Sequence, residues 1–288
     1  MKICVAGLGL IGGSICMALK RAGYEVDGYN RSRAPLEYAL KNKIIDGEVA
    51  KFSLYDAAFV ALPPRAALKF ILETPFKEGA VVADICGVKK YLEDGVYNSG
   101  KNIRYVGTHP MAGKEVSGVE NACADLFDGA SMVITRGICT DERAFGLIST
   151  LTKDMGFARI VECSAELHDK KIAYTSQLAH VVSNCYVNDT EIDGCLGFTG
   201  GSFQDMTRIA GVDEGVWSEL YLLNGGNLLE KTRTLYNSLG KFIAALESGV
   251  KNGDCGEIEQ NLSLGATAYR NGKANNFTGD GIKITNLK

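Results

Sequence analysis

The feature that most constrains this chain is a glycine pattern close to its N-terminus. A short apolar run at 2–6 leads directly into Gly7-Leu8-Gly9-Leu10-Ile11-Gly12, and a helix-like run follows at 14–22. This is the Gly-x-Gly-x-x-Gly fingerprint in the setting it requires, after a strand and before a helix. The first glycine permits a tight turn, the second lets the backbone approach a pyrophosphate, and the third lets helix and strand pack closely. We therefore predict that residues 7–12 bind a dinucleotide at the start of that helix.

Strands and helices alternate over the first 160 residues, which is typical of a doubly wound parallel sheet. The apolar runs predict further strands at 25–29, 57–62, 80–85, 103–108, 132–135 and 159–161, and helices at 34–43, 65–73 and 141–155. The sequence therefore predicts an α/β, Rossmann-type domain over residues 1–163.

The second half of the chain changes character, because its apolar residues recur at helical spacing at 164–188, 216–223 and 228–246. We expect an all-α C-terminal domain over residues 164–270. The residues that follow, 271–288, are rich in Gly, Asn, Lys and Thr, and we expect a loose tail there.

Composition excludes several classes of partner. The net charge of −3 and the pI of about 5.8 give no electrostatic footprint for nucleic acid, and no 18-residue apolar run predicts a membrane span. Nine scattered cysteines without Cys-x-x-Cys favour reduced thiols in a cytosolic protein over disulfides or a zinc site. Because the first predicted strand begins directly after Met1-Lys2, we expect no cleavable signal and a cytoplasmic location.

The residues after the second strand bear on which nucleotide binds. NAD-binding versions of this fold place an acid there for the ribose 2′-hydroxyl, whereas this chain has Asn30 followed by Arg31, Ser32 and Arg33. Two arginines and a serine suit a 2′-phosphate, although they could equally be solvated turn residues. We therefore expect NAD(P) with NADP slightly favoured, and we add Leu62 and Pro63, at the end of the 57–62 strand, to the predicted cofactor site.

Two histidines and an arginine are the candidate chemical groups. His109 follows the 103–108 strand at the sheet edge where ligands of open α/β sheets bind, and could act as a general base. His180 lies on the first helix of the second domain, with Ser176 and Gln177 predicted on a similar face. Arg208 could clamp a carboxylate, or could pair with Asp205 one turn away. We expect His168, near the start of that helix, to have a capping or surface role.

Four segments together resemble one family. They are the fingerprint at 7–14, Thr-His-Pro-Met-Ala-Gly at 108–113 with Ser117-Gly118, Thr-Ser-Gln-Leu-Ala-His at 175–180, and Asp-Met-Thr-Arg-Ile-Ala at 205–210. In this order they are similar to the prephenate dehydrogenases, a family that includes arogenate dehydrogenases, over residues 2 to about 246.

The resemblance implies an NAD(P)-dependent oxidative decarboxylation of prephenate to 4-hydroxyphenylpyruvate, in tyrosine biosynthesis. His109 would take the proton of the ring hydroxyl, His180 would match the second, substrate-side histidine, and Arg208 would hold a substrate carboxylate. Ser176, Gln177 and Lys114 are further expected substrate contacts. The resemblance also implies that the helical domain forms a homodimer, with the site between the domains.

The chain departs from the family pattern at several positions. Gly87 stands where the family often has a serine that bonds the catalytic histidine, and Cys86 precedes it. Gln177 replaces a histidine, and Lys114 a small hydroxylated residue. These changes leave open whether the substrate is prephenate or arogenate. We expect no attached regulatory domain.

Two rival functions remain. A β-hydroxyacid dehydrogenase would carry a catalytic lysine on the first helix of the second domain, where Lys170 and Lys171 lie, but the His109 and His180 segments favour the first interpretation. A nucleotide-sensing protein without turnover is the rival of a different class.

Overall fold

The computed structural model describes residues 1–137, 140–277 and 279–287. Its strands form one nine-stranded sheet with the order β3-β2-β1-β4-β5-β6-β7-β8-β9. The strands are β1 Ile3–Ala6, β2 Val26–Tyr29, β3 Gly47–Glu48, β4 Ala57–Val60, β5 Val81–Asp84, β6 Arg104–Pro110, β7 Ser131–Thr135, β8 Arg159–Cys163 and β9 Lys283–Asn286. The strand order is that of a doubly wound sheet that starts at β1 and extends in both directions, as predicted.

Helices cover both faces of the sheet and then form the second half of the chain. They are α1 Leu10–Arg21, α2 Arg33–Lys41, α3 Pro64–Glu73, α4 Lys90–Asn98, α5 Glu142–Asp154, α6 Ala165–Ile172, α7 Leu178–Val187, α8 Gly201–Thr207, α9 Glu214–Leu223, α10 Gly225–Asn252 and α11 Gly256–Ala274. A π-helical turn, Ala173–Gln177, joins α6 to α7. The first helix begins four residues earlier than predicted, so Gly12 lies inside it.

The core consists of two layers because side chains of the strands alternate between the faces. Val81 and Ala83 of β5 point to the layer that holds α1, α2 and α5. Val82, between them, points to the layer that holds α3 and α4. Leu220 and Leu223 of α9 pack against this second layer, so the helical half is joined to the sheet by apolar contact.

The sheet is not wholly parallel, which corrects the prediction. Strand β6 pairs in parallel with β5 as far as Gly107, and then its last three residues pair antiparallel with β7. The connection between β6 and β7 contains only one short 3-10 turn, Val119–Asn121, and no crossover helix. A parallel pairing requires a crossover connection, so β7 returns in the opposite direction.

The predicted loose tail is wrong over its final part. Strand β9 pairs antiparallel with β8, from Arg159↔Asn286 to Glu162↔Lys283, and the Lys283 ammonium lies 2.9 Å from a Glu162 carboxylate oxygen. The pairing satisfies backbone groups along the edge of β8, which a tail of polar composition does not reveal. Helix α11 also extends to Ala274, beyond the predicted end of the helical domain.

Two findings concern classes of site other than the dinucleotide turn. Among the described residues, none of the helices combines the length and apolar character that a bilayer crossing requires. The eight cysteines in the described ranges are all free, and no group of three or more His, Cys, Asp or Glu side chains there could hold a metal ion.

Candidate active site

The glycine turn between β1 and α1 has the geometry of a phosphate-binding loop. Gly7 has φ +97°, and a Cβ there would lie 2.2 Å from the Ala61 carbonyl oxygen. A Cβ on Gly12 would lie 1.9 Å from the Gly7 carbonyl oxygen, whereas a Cβ on Gly9 would meet nothing within 4 Å. Gly7 and Gly12 are therefore required by the fold. Gly9 borders open space at the N-terminus of α1, where a pyrophosphate would approach.

This difference predicts opposite results for two substitutions. Gly9→Ala should keep the thermal stability of the protein but weaken NAD(P)H binding at least about tenfold, because a methyl group enters the phosphate space. Gly12→Ala should lower the free energy of unfolding by roughly 1–3 kcal/mol, because the backbone of Gly7 must shift. Thermal unfolding and cofactor fluorescence titration of both variants test the pair. Equal stability losses in the two would contradict the assignment.

The residues after β2 form the predicted nucleotide edge. The Leu8 N–H donates to Asn30 Oδ1 at 3.0 Å, and Asn30 Nδ2 donates to the Ser32 carbonyl at 3.0 Å. Arg33 is already paired, with Glu37 at 3.1 Å and Glu48 at 2.7 Å. Arg31 is exposed and has no ion pair among the described residues. Of the two arginines, Arg31 is therefore the more available to a phosphate.

The other predicted cofactor residues, Leu62 and Pro63, lie beside this turn. A Cβ on Gly7 would be 3.0 Å from Leu62 Cδ2, so the Leu62 side chain lies against the loop. Pro63 is the N-cap of α3. Both positions follow the C-terminal end of β4, next to β1 in the sheet.

A cavity of about 1020 Å³ lies between the C-terminal part of β6 and the helical half of the chain. Five of the six predicted catalytic and substrate residues line it: His109, Lys114, Ser176, His180 and Arg208. Lys114 of the cavity wall donates to Cys123 Sγ at 3.2 Å, and the Cys123 N–H donates to Ser14 Oγ of α1 at 3.1 Å. The cavity wall is therefore linked through Cys123 to the helix that begins at the glycine turn.

Gln177 does not line this cavity, and the prediction that it contacts substrate is not supported. It is buried, its Nε2 donates to the Leu220 carbonyl at 3.3 Å, and its Oε1 accepts from Asn224 Nδ2 at 2.8 Å. The π-helical turn that ends at Gln177 changes the angular spacing of residues, so the face shared in a regular α-helix is not kept here.

His109 lies within β6 and projects into the cavity just past the parallel ladder. Its Nδ1 is 2.9 Å from Nε2 of His168, and His168 Nδ1 is 2.7 Å from Asp169 Oδ1. Burial, followed by repulsion from His168 and Lys89, holds the pKa of His109 well below its ordinary value of 6.5. The ring is therefore neutral at neutral pH, the state that a general base requires.

His168 is the functional residue that sequence reasoning missed. It is 2% exposed, and burial lowers its pKa, although the hydrogen bond with Asp169 opposes that shift. The expected capping or surface role is wrong, because Ser164 caps α6 by accepting from the Leu167 N–H at 3.2 Å. The sequence contains a pattern that indicates the burial of His168. Its spacing from Ala165, Asp169 and Ile172 is that of one buried helix face.

A buried polar cluster contacts β6 next to His109. The Lys89 ammonium binds the Asp84 carboxylate and donates to the Thr108 carbonyl at 2.6 Å. The other oxygen of Asp84 accepts from the Tyr105 hydroxyl at 2.6 Å. Because Lys89 is paired, its burial is tolerated. The cluster fixes the backbone immediately before His109.

His180 forms the opposite wall of the cavity. Its ring stacks on Trp217 with centroids 3.8 Å apart, and its Nδ1 is 3.1 Å from the Ser176 carbonyl oxygen. Burial lowers the pKa of His180, although the Ser176 carbonyl opposes the shift. The His180–Trp217 pair thus presents a flat surface suited to a ring-shaped ligand.

Arg208 and Lys114 supply the positive charge of the cavity. Arg208 pairs with Glu115 at 2.5 Å rather than with Asp205, and their side chains are 61% and 52% exposed. An ion pair this exposed contributes about 0–1 kcal/mol, so a ligand carboxylate can replace Glu115. Lys114 also lines the cavity, and its ammonium donates to Cys123 Sγ at 3.2 Å.

The position of Gly87 leaves His109 without a side-chain partner on the β5 side. A Cβ on Gly87 would lie 3.8 Å from His109 Nε2. Cys86 does not replace that partner, because its thiol donates to the Leu62 carbonyl at 3.3 Å and burial raises its pKa.

Comparison with known proteins gives one consistent family. Two family models match the chain: the prephenate dehydrogenase nucleotide-binding domain over residues 15–162, and the prephenate dehydrogenase dimerization domain over residues 164–262. The prephenate dehydrogenase of Bacillus subtilis is 32% identical over 244 residues, which are 80% of this chain and 66% of that protein. The matched segment thus spans about two thirds of that relative. The cyclohexadienyl dehydrogenase of Zymomonas mobilis is 27% identical over 85% of this chain and 88% of its own length.

Solved structures agree in fold. Prephenate dehydrogenase from A. aeolicus, in complex with hydroxyphenyl propionate and NAD⁺, has a TM-score of 0.79 and 26% identity and covers 93% of this chain and 98% of its own. Arogenate dehydrogenase from Synechocystis has a TM-score of 0.75 at 24% identity over 93% of this chain and 100% of its own, which shows the fold alone.

Proposed function

Because the chain belongs to the prephenate dehydrogenase family, we propose that it oxidatively decarboxylates prephenate to 4-hydroxyphenylpyruvate, with NAD(P) as the oxidant. The observation that carries the proposal is one cavity that holds a neutral histidine, two cations and a flat aromatic wall. Its wall is linked through Lys114 and Cys123 to the helix that begins at the dinucleotide turn. These groups match the needs of a dianionic ring substrate that loses a hydride and CO₂ and gives up its hydroxyl proton transiently.

His109 is the proposed base. With Nδ1 engaged by His168, its Nε2 is the ring nitrogen available to a ligand in the cavity. Nε2 takes the proton of the ring hydroxyl. NAD(P), when bound, would supply the acceptor for the hydride on the ring carbon that carries this hydroxyl. A positioned base of this kind contributes typically ~10²–10⁴ to the rate. Loss of the ring carboxylate as CO₂ then makes the ring aromatic. The phenolate oxygen that results regains a proton, from His109 Nε2 or from solvent, to give 4-hydroxyphenylpyruvate and a neutral His109.

The remaining cavity residues bind and orient the substrate. Arg208 and Lys114 neutralise the two carboxylates, and the Arg208 fork is suited to bidentate binding. His180 and Ser176 contact the substrate from the helical side, where the His180–Trp217 stack lies against the ring. The neutral state of His180 suits hydrogen bonding rather than charge pairing.

Residues 7–12, Asn30, Arg31, Ser32, Leu62 and Pro63 would hold the cofactor, and NAD(P) fits the open space at Gly9. NADP remains slightly favoured, through Arg31 and Ser32. Arg33 supports it less, because Glu37 and Glu48 already bind its guanidinium.

One assay matrix tests these proposals. Prephenate and arogenate are each combined with NAD and NADP, and formation of reduced cofactor is followed by absorbance. We expect turnover with prephenate. A tenfold higher kcat/KM with NAD than with NADP would contradict the role given to Arg31. Cofactor binding without turnover in all four reactions would instead favour a nucleotide-sensing protein.

Arogenate is the second candidate substrate, favoured by the carboxylates of Glu115 and Asp213 in the cavity wall. Arogenate carries an ammonium group where prephenate has a ketone, and Glu115 could pair with it. Glu115→Gln should therefore raise the KM for arogenate but lower the KM for prephenate, because it frees Arg208. Steady-state kinetics with both substrates measure the two changes, and shifts of the same sign would contradict the role of Glu115.

We also propose that the protein is a cytoplasmic homodimer. The family model that covers residues 164–262 describes a dimerization domain. Several large apolar side chains of α10 and α11 are exposed, among them Tyr236, Leu239, Val250 and Leu264. A second copy of the chain would remove them from water. Analytical ultracentrifugation measures the expected doubling of mass.

A further inference from the structure

Three side chains form a line of hydrogen bonds that leads away from the cavity into the protein. His109 is at the cavity end, His168 is in the middle, and Asp169 is at the buried end. His168 is 2% exposed and Asp169 is 3% exposed. The line crosses from β6 to α6, so it joins the nucleotide-binding half of the chain to the helical half.

Asp169 is held in place from the other side by the backbone. Its Oδ1 accepts from the Lys89 N–H at 2.8 Å, and its Oδ2 accepts from the Lys90 N–H at 3.0 Å, at the start of α4. Its own carbonyl accepts from Asn224 Nδ2 at 2.8 Å. Both oxygens thus act as acceptors in a fixed position.

The identity of Asp169 determines the direction of both remaining bonds. A carboxylate only accepts, so the proton of neutral His168 lies on Nδ1 and is donated to Asp169. His168 Nε2 is then a lone pair, and it can only accept from His109. The proton of neutral His109 must therefore lie on its Nδ1, which leaves the lone pair on Nε2.

We infer that His168 and Asp169 are positioning residues that hold His109 in the one neutral tautomer whose Nε2 can take a proton from a ligand in the cavity. This inference rests on the proposed function for its catalytic consequence. When His109 gains a proton on Nε2, its Nδ1–H still donates to His168, and His168 still donates to Asp169. The carboxylate thus stabilises the positive charge without moving.

This arrangement also accounts for the absence of a side chain at Gly87. A residue there would approach His109 from the Nε2 side, at 3.8 Å from a Cβ. The ring is already oriented through Nδ1 by His168, so a second orienting bond at Nε2 is not required.

The tautomer can be measured without any substrate. The chain has only three histidines, so two-bond ¹H–¹⁵N spectra of the full-length protein at pH 7.5 can be assigned with His168→Gln and His180→Asn variants. We expect protonated Nδ1 and unprotonated Nε2 on both His109 and His168. A His109 ring protonated on Nε2 would overturn the inference.

Kinetics test the consequence for proton transfer. Asp169→Asn can keep an oxygen toward Lys89 and His168 but removes the charge, so kcat should fall roughly 10- to 100-fold. The acid limb of kcat/KM should move to lower pH, because the protonated pair loses its stabilising carboxylate. Lys89 and Asp84, which also face the pair, are unchanged. The inference would be overturned if Asp169→Asn changed neither kcat nor the position of the acid limb in the pH profile of kcat/KM.

Two variants at His168 separate orientation from stability. The amide oxygen of His168→Gln can still accept from His109 Nδ1, whereas His168→Leu offers no acceptor. We expect the glutamine variant to retain a clearly higher kcat than the leucine variant. Tyr24→Phe, which removes a remote 2.6 Å hydrogen bond to Asp154, controls for general loss of stability. Equal kcat values in the two His168 variants would contradict the inference.

The result also separates the two proposals. If the ¹H–¹⁵N spectra are as expected but none of the four substrate and cofactor combinations is turned over, the proposed function is refuted. The tautomer assignment is then still supported. Turnover in that matrix, together with a His109 ring protonated on Nε2, would support the proposed function and refute the tautomer assignment.

Discussion

His109→Asn should lower kcat by ~10²–10⁴-fold, because it removes the proposed acceptor of the hydroxyl proton. Asparagine ends near the position of Nδ1 and can keep the contact with His168, so the fold and the cofactor site should be preserved. Steady-state kinetics give kcat, and fluorescence titration gives the Kd of the reduced cofactor, which should change little.

The matched control is the other histidine of the cavity. His180→Asn loses the stack on Trp217 but leaves His109 and its partners in place, so it should raise KM more than it lowers kcat. If the His109→Asn variant turned over at a near-normal rate, His109 could not be the base.

Arg208→Ala should raise the KM for prephenate about 10- to 150-fold. The reason is the loss of a charge-assisted hydrogen bond to a substrate carboxylate, which contributes ~1.5–3 kcal/mol. The value of kcat should change much less, because the guanidinium in its proposed role binds the ground state and the transition state alike.

Arg21 offers a control for this substitution, since it also pairs with a carboxylate, that of Asp128 at 2.7 Å, but lies outside the cavity. Arg21→Ala should leave the KM unchanged. An unchanged KM in Arg208→Ala would mean that Arg208 serves only to bind Glu115.

The parts of the fold that follow from local chemistry could be predicted from the sequence. The buried strands are short apolar runs with abrupt ends, and their predicted bounds differ by one or two residues from those observed in β4, β5 and β8. The glycine turn could also be predicted from the sequence, because the fold tolerates no side chain at Gly7 or Gly12.

Features that depend on tertiary pairing could not be predicted in this way. The antiparallel return of β7 follows from a connection that lacks a crossover helix, and β9 is recognisable only beside β8. The apolar run at 132–135 predicts β7 as a strand but not its direction, and the polar composition of β9 does not predict a strand at all.

In the candidate site, too, some residues could be placed from the sequence and others could not. His109, Lys114, Ser176, His180 and Arg208 lie around one cavity, as predicted. The prediction for Gln177 failed because it assumed a regular helix through a π-helical turn. The role of His168 was predicted wrongly because its place near the helix start was weighed above the spacing that puts it on the buried face with Ala165, Asp169 and Ile172.

The late position of β9 in the chain has a consequence for biosynthesis. Strands β1 to β8 are complete once residue 163 has been translated, but the partner of the outermost strand is made more than a hundred residues later. Until then the nascent sheet carries a row of unsatisfied amide and carbonyl groups, a template to which neighbouring chains can anneal. Residues 283–286 therefore protect a unit that was synthesised well before them.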